Sequence, residues 1–121
     1  MIKKHKISFK NAFNGLIWAL RTQPNYKIHL FFSALALIGA WFFKIKYYEA
    51  VTIILLIIIG LVIETINTGI EATTDAIDKQ MRQDIKIAKD VSAAAMLVFA
   101  IGAIIIACFI FLPRIINFFA Y

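Results

Sequence analysis

The chain has 121 residues, of which 62% are hydrophobic and 17% charged, and its formal net charge is +6. A soluble domain of this size cannot bury so much apolar surface in its core. The composition therefore excludes an ordinary soluble domain and predicts one compact integral membrane domain over residues 1–121. The single cysteine, Cys108, cannot form an intrachain disulfide and is expected to be a packing residue.

The first predicted element is an amphipathic helix over residues 6–22. Its large apolar side chains recur at helical spacing, while basic and amide side chains occupy the other faces. The apolar set is Phe9, Phe13, Leu16 and Leu20. Such a helix is expected to lie in the membrane surface, with its basic residues attracted to anionic lipid.

Three membrane-spanning helices are predicted after it. The first covers 28–48 and follows a break at Pro24, and the second covers 50–70 and continues as a helix to 78. The third covers 91–112, which carries no charged residue, and is expected to stop at Pro113. The predicted fold class is therefore an all-α membrane protein with three transmembrane helices and an N-terminal amphipathic surface helix.

Lysine and arginine are unevenly distributed along the chain. Six precede the first span, four lie between the second and third spans, and three lie at the opposite ends of the spans. The positive-inside rule therefore places the N-terminus and the 76–90 segment in the cytoplasm, where ATP and Mg²⁺ are available. Six of the seven acidic residues lie between Glu64 and Asp90, so any chemistry is expected on that face of the membrane.

A polar stripe follows the apolar part of the second span. Glu64, Asn67, Glu71 and Asp75 are three, four and four residues apart, so on a helix they fall within an arc of about 80°. Because about 20 residues cross the hydrocarbon, a span from Ala50 would leave Glu64 inside the bilayer and Glu71 near its boundary. A charge at that depth is costly and is usually functional.

The residue types in this region are those of a phosphoryl transferase. Carboxylates bind Mg²⁺ through oxygen, a lysine neutralises phosphate charge, and a carboxylate at the lipid boundary can accept a proton from a hydroxyl. A solvated helix end is the simpler explanation and accounts for Asp78 and Asp84. It does not account for Glu64, whose neighbours in sequence are Ile63, Thr65 and Ile66.

The pattern Glu-x-x-Asn-x-x-x-Glu-x-x-x-Asp over 64–75, with Ala-Lys-Asp at 88–90, resembles the small prokaryotic diacylglycerol kinase and undecaprenol kinase family. The similarity extends from about residue 8 to 113. It includes Asn-Tyr-Lys-Ile-His at 25–29 and the Leu-Pro-Arg ending at 112–114. No Walker loop, protein-kinase glycine-rich loop or zinc motif competes with this pattern.

The resemblance implies a homotrimer with composite sites, in which ATP with Mg²⁺ phosphorylates a lipid hydroxyl at the cytoplasmic interface. By the same resemblance, Glu64 matches the catalytic base, Glu71 a Mg²⁺ ligand, and Lys89 with Asp90 the nucleotide-contacting pair. Asn67 and Asp75 match polar positions that support the site. Three further residues lie where the family approaches nucleotide but match it weakly: Asn11, Gln80 and Arg82.

The chain departs from the family pattern at Gln23, where many members carry a glutamate that helps to bind metal. A neutral amide oxygen can still ligate Mg²⁺, but without the charge. The resemblance implies undecaprenol or diacylglycerol as the lipid substrate, and both offer a primary hydroxyl at the interface. The Gram-positive-type ending and residues 85–90 favour undecaprenol by analogy alone.

Small residues on the third span predict self-association. Ala93, Ala100, Ala103 and Ala107 share one face and would allow close approach of a neighbouring helix. A small oligomeric transporter that uses Glu64 as its buried charge would also explain these features, but not the gathering of Glu71, Asp75, Lys89 and Asp90. A non-enzymatic assembly subunit explains still less, and no nucleic-acid partner is expected.

Overall fold

A computed structural model describes residues 2–80 and 82–120 and is helical over most of that range. In chain order the described helices are α1 (Ile2–Thr22), α2 (Pro24–Phe42), α3 (Tyr47–Ile77) and α4 (Gln83–Phe119). The prediction of an all-helical protein is confirmed.

Gln23 alone separates α1 from α2. Its backbone is extended (φ −97°, ψ 114°), and Pro24 occupies the first turn of α2, where the missing N–H removes no helical hydrogen bond. α1 begins four residues earlier than the predicted surface helix and ends at the same residue, Thr22. The break expected at Pro24 is therefore the boundary between two helices.

The first of two differences from the predicted helix limits lies at the end of α2. The helix ends at Phe42, so residues 43–48 form a turn and the start of α3 instead of the end of the first span. Lys44 has a positive φ of 48°, and the N–H groups of Lys44 and Ile45 donate to the carbonyls of Trp41 and Ala40. This is a Schellman-type ending with lysine at the position that usually carries glycine.

The second difference is at Pro113, where the predicted third span was expected to stop. α4 instead continues through Pro113 to Phe119. The Arg114 guanidinium donates to the carbonyl of Ile110 and forms an ion pair with Glu49 at 2.6 Å. These two contacts fasten the turn after the proline to the start of α3, which explains why the helix is not interrupted there.

α3 is the central helix, since α4, α2 and α1 all pack against it. Among the described residues, α3 and α4 are long and apolar enough to cross a membrane, and their most apolar 18-residue windows are only 17% and 6% buried. Apolar helices with so little buried surface are not core helices of a soluble protein. A third span through α2 stays a prediction.

Candidate functional site

The polar stripe of α3 runs from the interior of the bundle to its surface. Glu64 is 2% exposed and Asn67 is 5% exposed, whereas Glu71 is half-buried and Asp75 is exposed. The depth of Glu64 in the bilayer stays a prediction. One face of α3 therefore carries a buried carboxylate, Glu64, and two carboxylates that are more accessible, Glu71 and Asp75.

A hydrogen-bonded network joins this stripe to α4. Ser92 donates from Oγ to Asn67 Oδ1 at 2.7 Å, and Asn67 Nδ2 donates to Glu71 Oε1 at 3.3 Å. The first of these bonds is buried. Because Ser92 occupies the amide oxygen of Asn67, the amide nitrogen is left to face the Glu71 carboxylate. Ser92 therefore orients Asn67, and Asn67 orients Glu71.

Two lysine–carboxylate pairs lie beside this network. Lys89 Nζ on α4 donates to Asp75 Oδ1 on α3, with the lysine 28% exposed. Asp90 instead pairs with Lys86 at 2.6 Å, one turn away on the same helix. Lys89 and Asp90, predicted as a nucleotide-contacting pair, thus adjoin each other in sequence but bind different partners in this structure.

An apolar groove of about 770 Å³ begins at Glu64. Residues of α2, α3 and α4 line it, and its polar lining is confined to Asn25, His29, Ser33 and Glu64. The rest of the lining consists of aliphatic, aromatic and small side chains. A carboxylate thus stands at the polar end of a space suited to a hydrocarbon chain.

Tyr26 fixes the start of α2 next to Glu64. Its side chain is fully buried, and its hydroxyl forms a hydrogen bond with Thr65 Oγ1. Thr65 Oγ1 also donates to the carbonyl of Leu61 at 2.6 Å, so the contact is anchored to the backbone of α3. Sequence analysis gave no role to Tyr26 or Ser92, because each is a single polar residue whose partner lies on another helix.

The three residues that match the family's nucleotide positions weakly lie on two segments: Asn11 is on α1, whereas Gln80 and Arg82 lie between α3 and α4, where the Arg82 N–H donates to the Gln80 carbonyl at 2.9 Å. Asn11 is exposed on α1, and Gln80 donates its backbone N–H to Asp78 Oδ1 at 2.8 Å. Arg82 pairs with Asp84 at 2.5 Å and with Asp78 at 3.9 Å. The Asp84 carboxylate raises the pKa of Arg82 above its ordinary value, so the guanidinium stays charged.

The metal-ligand predictions concern Glu71 and Gln23. Residues 2–80 and 82–120 contain no cluster of three or more His, Cys, Asp or Glu side chains that could hold a metal ion. Glu71 offers a carboxylate, while the Gln23 amide contacts Thr22 Oγ1 at 3.4 Å. A donor set of one carboxylate suits Mg²⁺ that arrives with a nucleotide, because that ion commonly uses one or two carboxylates together with phosphate oxygens and water.

Comparison with known proteins identifies the family. The family model for prokaryotic diacylglycerol kinase matches residues 10–111. A diacylglycerol kinase of Synechocystis is 30% identical over 112 residues, which are 92% of this chain and 64% of that protein. An undecaprenol kinase of Bacillus subtilis is 35% identical over 108 residues, which are 89% of this chain and 88% of that protein.

The chain therefore spans 64% of the length of the Synechocystis relative and most of the length of the Bacillus relative. Both relatives are named as lipid kinases, in agreement with the enzyme class expected from the 64–75 pattern. The family and the apolar surfaces of α3 and α4 together indicate a membrane protein. The chain belongs to the prokaryotic diacylglycerol kinase family.

Proposed function

We propose that this protein transfers the γ-phosphoryl group of ATP to the hydroxyl of a membrane lipid, either diacylglycerol or undecaprenol. The observation that carries the proposal is the position of Glu64, which is 2% exposed and stands at the polar end of the apolar groove. A lipid whose tail lies along the groove would present its hydroxyl to this carboxylate. The names of both relatives support the same reaction.

In the proposed step, Glu64 accepts the proton of the lipid hydroxyl as the lipid oxygen bonds to the γ-phosphorus. The bond between that phosphorus and the bridging oxygen breaks, and ADP leaves with the electron pair. Because Glu64 is buried, bulk water has little access to the reacting oxygen. The groove would therefore favour transfer to the lipid over hydrolysis of ATP.

The nucleotide is proposed to bind at the accessible end of the stripe. Lys89 would exchange Asp75 for phosphate oxygens, and Asp90 would contact the nucleotide beside it. Asn67 and Asp75 support these groups, since Asn67 contacts Glu71 and Asp75 contacts Lys89. Asn11, Gln80 and Arg82 remain secondary candidates for nucleotide contact.

Glu71 would hold Mg²⁺ together with the phosphates, with Gln23 as a neutral second donor. When bound, this ion offsets charge that develops on the phosphate oxygens. The role of Asn67 is then to keep one Glu71 oxygen occupied at 3.3 Å and to fix the carboxylate plane. That arrangement prepares the carboxylate for the ion before the nucleotide arrives.

The site is proposed to face the cytoplasm of a bacterial cell, in a multi-pass protein with a cytoplasmic N-terminus. Ten of the 13 basic residues lie before residue 28 or between residues 79 and 89, and the positive-inside rule assigns both segments to the cytoplasmic side. ATP is available on that side. α1 would lie in the membrane surface beside the site.

A homotrimer is proposed to complete the site. The groove is open between α2 and α4, and Ala100, Ala103 and Ala107 line its α4 wall. Small residues allow a helix from another copy to approach closely. A neighbouring subunit could then cover the open end of the stripe, where a single bundle leaves Asp75 exposed.

The transporter alternative is not favoured. The family is one of kinases, and the groove that begins at Glu64 continues through uncharged side chains after His29. A carrier that moves an ion along this groove would need further polar groups across its length. Ser33 is the remaining polar side chain of the lining beyond that point.

The direct test uses the purified protein in micelles with radiolabelled ATP, Mg²⁺ and each lipid in turn. We expect label to move into the organic phase only when diacylglycerol or undecaprenol is present. Ser8→Ala is a suitable control variant, because Ser8 is exposed on α1 and bonds to the carbonyl of Lys4. Absence of lipid labelling with both lipids would overturn the proposal.

A further inference from the structure

The segment 25–29 contains a histidine that the proposed reaction has not used. His29 lies on α2, and its Nε2 is 3.2 Å from the carbonyl oxygen of Ile57 on α3. With the proton on Nε2, the imidazole donates to that carbonyl. Its ring also lies 6.1 Å from the ring of Phe99 on α4, so three helices meet at this side chain.

Gly60 provides the space that the imidazole occupies. A Cβ atom built at Gly60 would lie 2.0 Å from Cε1 of His29, 2.7 Å from its Nε2 and 2.7 Å from the ring of Phe99. These distances are far below ordinary contact, so no residue with a side chain fits while His29 keeps this position. His29 can therefore keep this position only if residue 60 has no side chain. Helix stability alone would favour alanine at residue 60.

Gly60 is one helical turn before Glu64 on the same face of α3. The Cα–Cβ bonds of a helix tilt toward its N-terminus, so the Glu64 side chain extends toward the turn that contains Gly60. His29 and Glu64 both line the groove. The imidazole, packed on Gly60, therefore lies beside the helical turn toward which the Glu64 side chain extends.

The other surroundings of Glu64 contain few groups that could replace the histidine. Asn25 from α2 lines the same end of the groove as His29 and Glu64. The residues that α4 contributes to this part of the groove are apolar: Met96, Phe99 and Ala100. Asn25 and His29 are therefore the polar groove residues that another helix places near Glu64.

We propose that His29, seated on Gly60, is a positioning residue that holds the Glu64 carboxylate toward the lipid hydroxyl. This inference rests on the proposed function, because it presumes that Glu64 acts on a lipid hydroxyl. His29 does not exchange a proton with substrate in this scheme. It limits the carboxylate to one orientation, which matters because displacement of a reacting group by about 1 Å can lower a rate about 100-fold.

The test compares four variants of the full-length protein in the lipid-labelling assay. His29→Leu removes both ring nitrogens at similar size, while His29→Gln can place an amide nitrogen near the position of Nε2 and keep the bond to Ile57. Gly60→Ala leaves the histidine in the sequence but displaces its ring. Gly69→Ala is the matched control, since a Cβ at Gly69 on the same helix meets no atom within 4 Å.

We expect His29→Leu and Gly60→Ala each to lower kcat at least tenfold with the KM for ATP unchanged. His29→Gln should recover most of the wild-type kcat, and Gly69→Ala should equal wild type. Combination of His29→Leu with Gly60→Ala should lower kcat little further, because both changes remove the same contact. If Gly60→Ala does not yield folded protein, the comparison of His29→Leu with His29→Gln still tests the role of His29.

Several results would overturn the inference. They are a wild-type kcat in His29→Leu, equal losses in the leucine and glutamine variants, or a rise in the KM for ATP with kcat unchanged. Failure of the proposed function looks different, since the wild-type protein itself would then label no lipid. The two failures are therefore distinguished by the wild-type lane of the same experiment.

Discussion

Removal of the Ser92 hydroxyl tests the network that joins α4 to the stripe. Ser92 Oγ donates to Asn67 Oδ1 at 2.7 Å, and both residues are buried. Ser92→Ala leaves the amide oxygen of Asn67 without that donor, and an unpartnered buried polar group costs about 1–3 kcal/mol. Asn67 would then turn to find another partner and lose its bond to Glu71.

We expect this loss to appear as weaker binding of Mg-ATP, because the nucleotide must restore the orientation of Glu71. At about 1.4 kcal/mol for each factor of ten, the expected weakening is about 5- to 140-fold. The assay is Mg-ATP titration of purified variants by direct nucleotide binding, with the labelling rate at saturating nucleotide measured in parallel. Ser8→Ala is the control, since its hydroxyl bonds only within α1.

An affinity of Ser92→Ala equal to that of Ser8→Ala would refute this reasoning. A lower rate at saturating nucleotide with unchanged affinity would also refute it, because the network would then serve the lipid side of the site. Ser92→Thr keeps the hydroxyl and should retain affinity near that of wild type.

Three further predictions concern the metal and the assembly. Glu71→Gln should weaken Mg-ATP binding, but the variant should still label lipid at high Mg²⁺. A Mg²⁺ dependence equal to that of wild type would show that Glu71 does not bind the metal. Gln23→Glu should lower the Mg²⁺ concentration that gives half-maximal activity, since a formal charge attracts the ion more strongly; an equal or higher requirement would show that Gln23 is not a donor. Mixed assemblies of Glu64→Gln and Lys89→Ala chains should regain part of the activity if different subunits supply these residues to one site, whereas a fully active monomer would exclude composite sites.

The composition and the 64–75 pattern were sufficient to predict the helical membrane class and the family. Each of these depends on residues close together in sequence. A 3.6-residue period places Glu64, Asn67, Glu71 and Asp75 on one face whatever the rest of the chain does. The increase in exposure from Glu64 to Asp75 instead follows their order along α3 toward its C-terminal end.

The features that sequence reasoning missed depend on contacts between helices or on unusual backbone. Lys44 ends α2 in a left-handed conformation that glycine usually adopts, so the residue types at this position did not predict a turn. Pro113 normally ends a helix, but the contacts of Arg114 with Ile110 and Glu49 hold α4 together beyond it. The Glu49 partner is 65 positions away in sequence.

The same limit applies to the site. The roles of Ser92 and Tyr26 come from hydrogen bonds to α3, and no spacing within α4 or α2 reveals them. Gly60 lies in an apolar run, where the sequence gives no reason to expect that residue 60 must lack a side chain. Only the position of the His29 ring shows that a side chain there would collide with it.

The most direct test of the central claim is the effect of Glu64→Gln on two quantities measured in one preparation. The account predicts that transfer of labelled phosphate to lipid falls about 100-fold or more, because a general base contributes about 10²- to 10⁴-fold to such a step. It also predicts that Mg-ATP affinity stays within about twofold of wild type, since Lys89, Asp90 and Glu71 are unchanged. A wild-type rate of lipid labelling in Glu64→Gln would contradict the assignment of the buried carboxylate as the base.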